Sequence, residues 1–273
     1  MEVMMSDVDA YLQKMIVTNP LVEPLYHEVI RVWELHKGSR GLDVGCGIGF
    51  QAVMLAKAIG PEGYITGVDV EPEFLDRAGE MAQREGVSDR VSFKIGDMHD
   101  LPFGDNTFDW LWSANCVGYP SRDPVSLLKE LSRVVKPGGE IAILIYASQM
   151  LLPGYPFLEA RLNATATGIA PFSINMEPET HHMRVLGWFQ QAGLENAKAR
   201  TFVEDIQGPM NEERRAALSA LVEMRWGGAE SEAPPEDWAQ FRRLTRPDSP
   251  ECLWDLPDYY AYFTCVLFRA QVV

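Results

Sequence analysis

The chain has 273 residues, 47% hydrophobic and 23% charged, an ordinary globular composition that excludes fibrous and disordered classes. Its 24 Lys+Arg against 39 Asp+Glu give a formal charge of −15, which repels phosphate backbones and anionic lipid and argues against nucleic acid or a membrane as partner. No run approaches the ~20 apolar residues of a membrane span, the N-terminus lacks a secretory pattern, and Cys46, Cys116, Cys252 and Cys265 form no CxxC pair, so a reducing cytoplasm is expected and neither zinc nor a disulfide framework.

Residues 7–37 read as one or two helices, with Val22, Leu25, Tyr26, Val29, Ile30 and Trp33 at helical spacing and Pro20 and Pro24 near the start. From residue 40 the rhythm becomes strand, helix, strand, helix. Strands are expected at 41–44, 64–68, 91–95, 108–112 and 140–146, and helices at 51–59, 72–85 and 124–135, closed by Gly60-Pro61, Gly86 and Pro137-Gly138-Gly139. Such alternation implies right-handed βαβ crossovers and a parallel sheet. Residues 148–180 hold four prolines and cannot be one long helix. Beyond them the pattern predicts helices at 183–192, 210–226 and 236–246 and strands at 197–206 and 259–269.

Asp43-Val44-Gly45-Cys46-Gly47-Ile48-Gly49 lies between the first strand and a helix, where the backbone must turn sharply beside a ligand and present its N–H groups. The dinucleotide fingerprint requires a small residue at position 50, and this chain has Phe50, which disfavours a dehydrogenase. The D-x-G-x-G-x-G pattern resembles motif I of the class I S-adenosylmethionine-dependent methyltransferases. The resemblance continues through Thr66-Gly67-Val68-Asp69, Gly96-Asp97-Met98, the run Leu101–Asp109 and the stretch Glu130 to Gly139, in the family's order, over residues 40–146. The nearest branch looks like the small-molecule enzymes of quinone biosynthesis.

That resemblance implies an α/β, Rossmann-like fold: a seven-stranded, mostly parallel sheet with helices on both faces, a last strand inserted antiparallel between the fifth and sixth, and a helical lid. Its division of the chain is a helical cover at 1–37, a core at 38–147, a lid insertion at 148–180, and completion of the sheet at 181–273 with a helical insertion at 208–257. It implies S-adenosylmethionine as cofactor, S-adenosylhomocysteine as product, and a small-molecule acceptor; separately, the His181-His182 pair lacks further ligand spacing, so no metal site is expected. Gly45, Gly47 and Gly49 would cradle the cofactor. Asp69, with Val70 beside it, would take the ribose hydroxyls, and Asp97 and Met98 the adenine. Asp43 either reaches the methionine ammonium, directly or through water, or holds the glycine loop.

Asn115 and Tyr119, after the fourth strand, are lining residues, Asn115 on the cofactor and Tyr119 a candidate for catalysis, with ordinary packing or a carbonyl contact to the methionine moiety as the competing reading. His181 or His182 could act as a base, and a histidine at a helix start with a structural hydrogen bond is the competing reading. Tyr11, Tyr26, Tyr155 and Trp226 are candidate acceptor contacts. Trp226, Trp238 and Trp254 could cage a cationic amine or build the core of a helical insert. A monomer or homodimer is expected. The alternative function is a non-catalytic S-adenosylmethionine-binding regulatory or assembly protein.

Overall fold

The structure, a computed structural model, describes residues 7–117, 123–172 and 176–273, with side chains from Leu12 onward. Tyr119 and the side chain of Tyr11 lie outside the described residues. Helix α1 (Asp7–Trp33) is one continuous helix that includes Pro20 and Pro24. Each proline removes one i→i−4 hydrogen bond, but the stripe of Leu21, Leu25, Tyr26, Val29, Ile30 and Trp33 is buried along its length and offsets that loss.

Seven strands follow: β1 (Arg40–Val44), β2 (Tyr64–Asp69), β3 (Val91–Ile95), β4 (Phe108–Ala114), β5 (Val135–Met150), β6 (Glu195–Gln207) and β7 (Tyr260–Gln271). They form one sheet in the order β3-β2-β1-β4-β5-β7-β6. Pairs β1–β2, β2–β3, β1–β4 and β4–β5 are parallel. Between them run α2 (Phe50–Ile59), α3 (Pro72–Arg84) and α4 (Pro124–Val134), the crossovers that parallel neighbours require. β7 is antiparallel to both neighbours. Gly138 N–H and Val272 O join the start of β5 to the end of β7, and Asn196 Nδ2 donates to Gln271 Oε1 from the start of β6. The strand order and the antiparallel last strand between β5 and β6 are those that the resemblance implied.

β5 begins earlier than its apolar run implied, because Lys136–Gly139 stays in the strand as an irregularity opposite Phe108–Trp110. Asp109 braces this place, accepting from Arg40 N–H and pairing with Lys136, both at 2.7 Å.

Two compact units share the chain. The first takes Tyr26–Tyr146, Met176–Phe202 and Cys265–Val273. Its core is the sheet interior, including Leu42, Val44, Ile65, Val68, Leu111, Ile141, Ile143 and Phe268. Here α4 is tied to the preceding loop by Arg133, which pairs with Glu130 and Asp105 and donates to the carbonyls of Leu101 and Phe103. The second unit takes Met1–Leu25, Ala147–Asn175 and Val203–Thr264. It holds α5 (Pro156–Asn163), α6 (Ala166–Ile169), α8 (Glu212–Trp226) and α9 (Pro235–Thr245), while α7 (Val185–Ala192) belongs to the first unit. In the second unit the buried Glu159 carboxylate accepts the N–H groups of Leu151 and Leu152, and Arg161 grips Asp237 with two nitrogens.

Candidate functional site

The strand order reverses between β1 and β4, so their following connections diverge and leave a crevice at the carboxyl ends of the strands. The glycine loop lies there. Gly45 and Cys46 both donate to Val68 O, at 2.8 and 3.1 Å, which ties the loop to β2. Gly45 has φ 71, and Cys116 occupies the place where a Cβ would project, so conformation and space both demand glycine. At Gly49, φ is 82 and a Cβ would stand 2.9 Å from the Cβ of Ala78, which lets α2 start hard against α3.

Two carboxylates face this loop. Asp69, at the end of β2, accepts from Gly47 N–H through Oδ2 at 2.9 Å and from Glu71 N–H through Oδ1 at 3.2 Å. Each oxygen keeps a further lone pair, so the group can still accept from a diol. Asp43 is 1% exposed, and its Oδ2 has no hydrogen-bond partner among the described residues. Burial, followed by the charge on Asp69, pushes its carboxyl up to about 8. An unpartnered buried acceptor beside a second carboxylate is costly, and a cationic ligand with N–H groups would relieve both penalties.

Asp97 follows β3, whose exit is tied to β2 by Gly96 N–H donating to Asp69 O at 3.0 Å. Its Oδ1 accepts from the His99 backbone N–H and meets His99 Nδ1, both at 2.9 Å, and these bonds hold the carboxyl below its ordinary range. Met98 lies with its Sδ 4.0 Å from Cys116 Sγ. Val70 is 65% exposed. Asn115 accepts from Tyr146 N–H and donates to the Tyr26 hydroxyl. The motif residues thus gather at the ends of β1 to β4, and Tyr26 is tied to them through Asn115. Cys116 and His99 were not singled out from the sequence. Their signal was adjacency, one residue after Asn115 and two after Asp97. Burial, with Asp43 next, raises the Cys46 thiol well above its usual range, which favours the thiol over the nucleophilic thiolate.

The remaining described candidates make other contacts. His181 accepts from Met183 N–H and caps a short 3-10 turn before α7, and its ring stacks on His182 at 4.4 Å. Burial and the His181 ring lower the His182 imidazole to about 4, which makes it a weak proton acceptor. Tyr155 is the half-exposed residue before α5. Trp226, a candidate acceptor contact with the core of a helical insert as its alternative, takes the core reading and is fully buried: its Nε1 donates to Asn163 Oδ1 at 3.0 Å and its ring meets Phe241 edge-on. Trp254 is likewise buried, and the guanidinium of Arg242 already lies over the Trp238 ring, so the second unit's tryptophans form no open cage. Among the described residues no cluster of three His, Cys, Asp or Glu side chains could hold a metal ion, and no helix is long and apolar enough to cross a membrane.

The chain is similar to several known proteins. The chain is 36% identical over 124 residues to the methyltransferase GfsG of Streptomyces halstedii, covering 45% of this chain and 42% of that protein. It is 31% identical over 196 residues to the demethylmenaquinone methyltransferase of Staphylococcus carnosus, covering 65% of this chain and 77% of that one. Matches to the Listeria demethylmenaquinone methyltransferases, like that to GfsG, span about half of the relative's length. A SAM-dependent methyltransferase from Aquifex aeolicus superposes with a TM-score of 0.54 at 18% identity, over 98% of this chain and 100% of that one. The family model described as "Methyltransferase domain" matches residues 35–187, more than half of the chain, and with the glycine loop and its carboxylates at the strand ends the chain belongs to that family.

Proposed function

We propose that the chain transfers a methyl group from S-adenosylmethionine to a small-molecule acceptor. The observation that carries this reading is the pairing of the Gly45–Gly49 loop with Asp69 and the unpartnered, buried Oδ2 of Asp43. These groups fit the cofactor: Asp69 has lone pairs for ribose hydroxyls, Asp43 is suited to an ammonium, and Asp97 keeps acceptor capacity for an exocyclic amine. When bound, S-adenosylmethionine supplies an electrophilic methyl on a sulfonium.

The protein's part is orientation and exclusion of water. The loop backbone and Asp69 hold one end of the ligand, and the two carboxylates favour positive charge. With His182 held at about 4 and His181 committed to its turn, we assign the main contribution to positioning rather than to proton abstraction by this pair. The formal charge of −15 supports an uncharged or cationic acceptor over a polynucleotide. The Staphylococcus relative is named for demethylmenaquinone, a small molecule, which supports the same acceptor class. The test is release of S-adenosylhomocysteine across a panel of small acceptors, including quinols, phenols and amines. Turnover with one of them is the expected result; tight cofactor binding with no turnover on any would favour the regulatory alternative.

A further inference from the structure

The exit of β4 is held from several sides. Ala114 is the last residue in register with β5, opposite Leu144. Asn115 then enters the left-handed region at φ 50, a conformation costly for most side chains and tolerated by asparagine. Its backbone N–H donates to Leu144 O at 2.8 Å, and its Oδ1 accepts from Tyr146 N–H at 2.8 Å. The side-chain amide therefore continues the β4–β5 ladder where the main chain has left it. Because the Tyr146 N–H can only donate, the amide oxygen must face it, and Nδ2 must face the Tyr26 hydroxyl oxygen 3.2 Å away. Tyr26 is a buried residue of α1. On the other side of Asn115, Cys116 packs where a Cβ of Gly45 would lie, and Val117 N–H donates to Ser113 Oγ at 3.1 Å.

We infer that Tyr26 and Asn115 are positioning residues for cofactor binding: their hydrogen bond sets where Cys116 stands against Gly45, and so couples α1 to the shape of the glycine loop. That role rests on the reading of the loop as an S-adenosylmethionine site and adds a determinant outside the family's motif residues. The chain of contact is short: hydroxyl to amide, amide to the bend, and the bend to the sulfur packed against Gly45. Loss of the hydroxyl leaves the Asn115 amide without this acceptor and releases one restraint on the bend.

Calorimetric titration of S-adenosylmethionine and S-adenosylhomocysteine into the full chain tests it, with Tyr26→Phe, Asn115→Gly and the double variant beside the wild type. Tyr26→Phe keeps the buried ring and removes only the hydroxyl, and Asn115→Gly keeps the left-handed backbone and removes the amide that the hydroxyl meets. Tyr26→Phe should weaken binding by about three- to tenfold, the worth of one hydrogen bond, Asn115→Gly by at least as much, and the double variant by no more than Asn115→Gly alone. A merely structural bond would lower the melting temperature and leave the affinity of the folded protein at the wild-type value. That result, or strictly additive losses in the double variant, overturns the positioning role. A wild-type chain that binds neither ligand would instead remove the reading of the site itself.

Discussion

Asp43 and Asp69 illustrate how one pair of identical side chains is given two roles by surroundings alone. Asp69 is bonded by two N–H groups and stands at the edge of the crevice, whereas Asp43 lies beneath it with an oxygen unmatched. Replacing Asp69 with Ala should weaken S-adenosylmethionine binding by roughly 10- to 100-fold, and calorimetry on the folded variant is the check; an unchanged affinity would remove the ribose assignment. Asp43 carries a pH signature. Its carboxyl titrates at about 8 in the native state, against about 3.9 in an unfolded chain. Between those values the native state holds a proton that the unfolded state has released, so this group makes stability fall as pH rises through that window and level off above it. Asp43→Asn removes the titration and should flatten that part of the slope, read from urea unfolding of the ligand-free protein between about pH 5 and 8. A ligand ammonium favours the ionised form, so binding near neutral pH should also release a proton, measurable as a buffer-dependent binding enthalpy. Equal slopes in both variants, with no proton release, would place that proton elsewhere.

At the scale of elements, what was legible in the sequence was local. The glycine loop, the acid ending β2 and the apolar run of β5 each announce themselves within a few residues, because a strand-to-helix turn leaves few chemical options. What was hidden depends on partners far along the chain. Pro20 and Pro24 suggested a break in α1, and only the buried stripe on the same helix shows why it holds. Likewise nothing local marks Arg133, a residue of the expected helix, as the group that fastens α4 to Leu101 O, Phe103 O and Asp105. The tryptophans of the second unit are the sharpest case: a cage and a core share one composition, and burial separates them. Trp226→Ala should therefore cost roughly 3–5 kcal/mol of stability, as expected for an aromatic removed from a packed core. The shift in urea midpoint measures it. A variant of wild-type stability with only a raised KM for the acceptor would restore Trp226 to the substrate.

For the whole molecule, charge decides which partners are reachable. The 39 acidic residues outnumber the 24 basic ones, and the second unit's cations are largely spent internally. Arg161 is committed to Asp237, Arg215 to Asp255, Arg242 to Glu223, Arg243 to Glu251 and Arg246 to Asp248. A polynucleotide at this unit would compete with these carboxylates for the guanidinium groups, and it would meet a chain of net negative charge on approach. Salt separates the two acceptor classes. An enzyme that neutralises six to ten phosphates loses about 10³- to 10⁵-fold in affinity between roughly 50 and 200 mM salt, through the counterions released on binding. A small uncharged acceptor releases none, and a cationic one meets only a few charges screened over about 10 Å. The specificity constant for the acceptor found by the panel should therefore change by less than about threefold across that range. Labelled-methyl transfer with single- and double-stranded RNA and DNA, run at the lower salt, completes the test. Efficient methylation of any of these, falling steeply as salt rises, would overturn the small-molecule assignment while leaving the S-adenosylmethionine site intact.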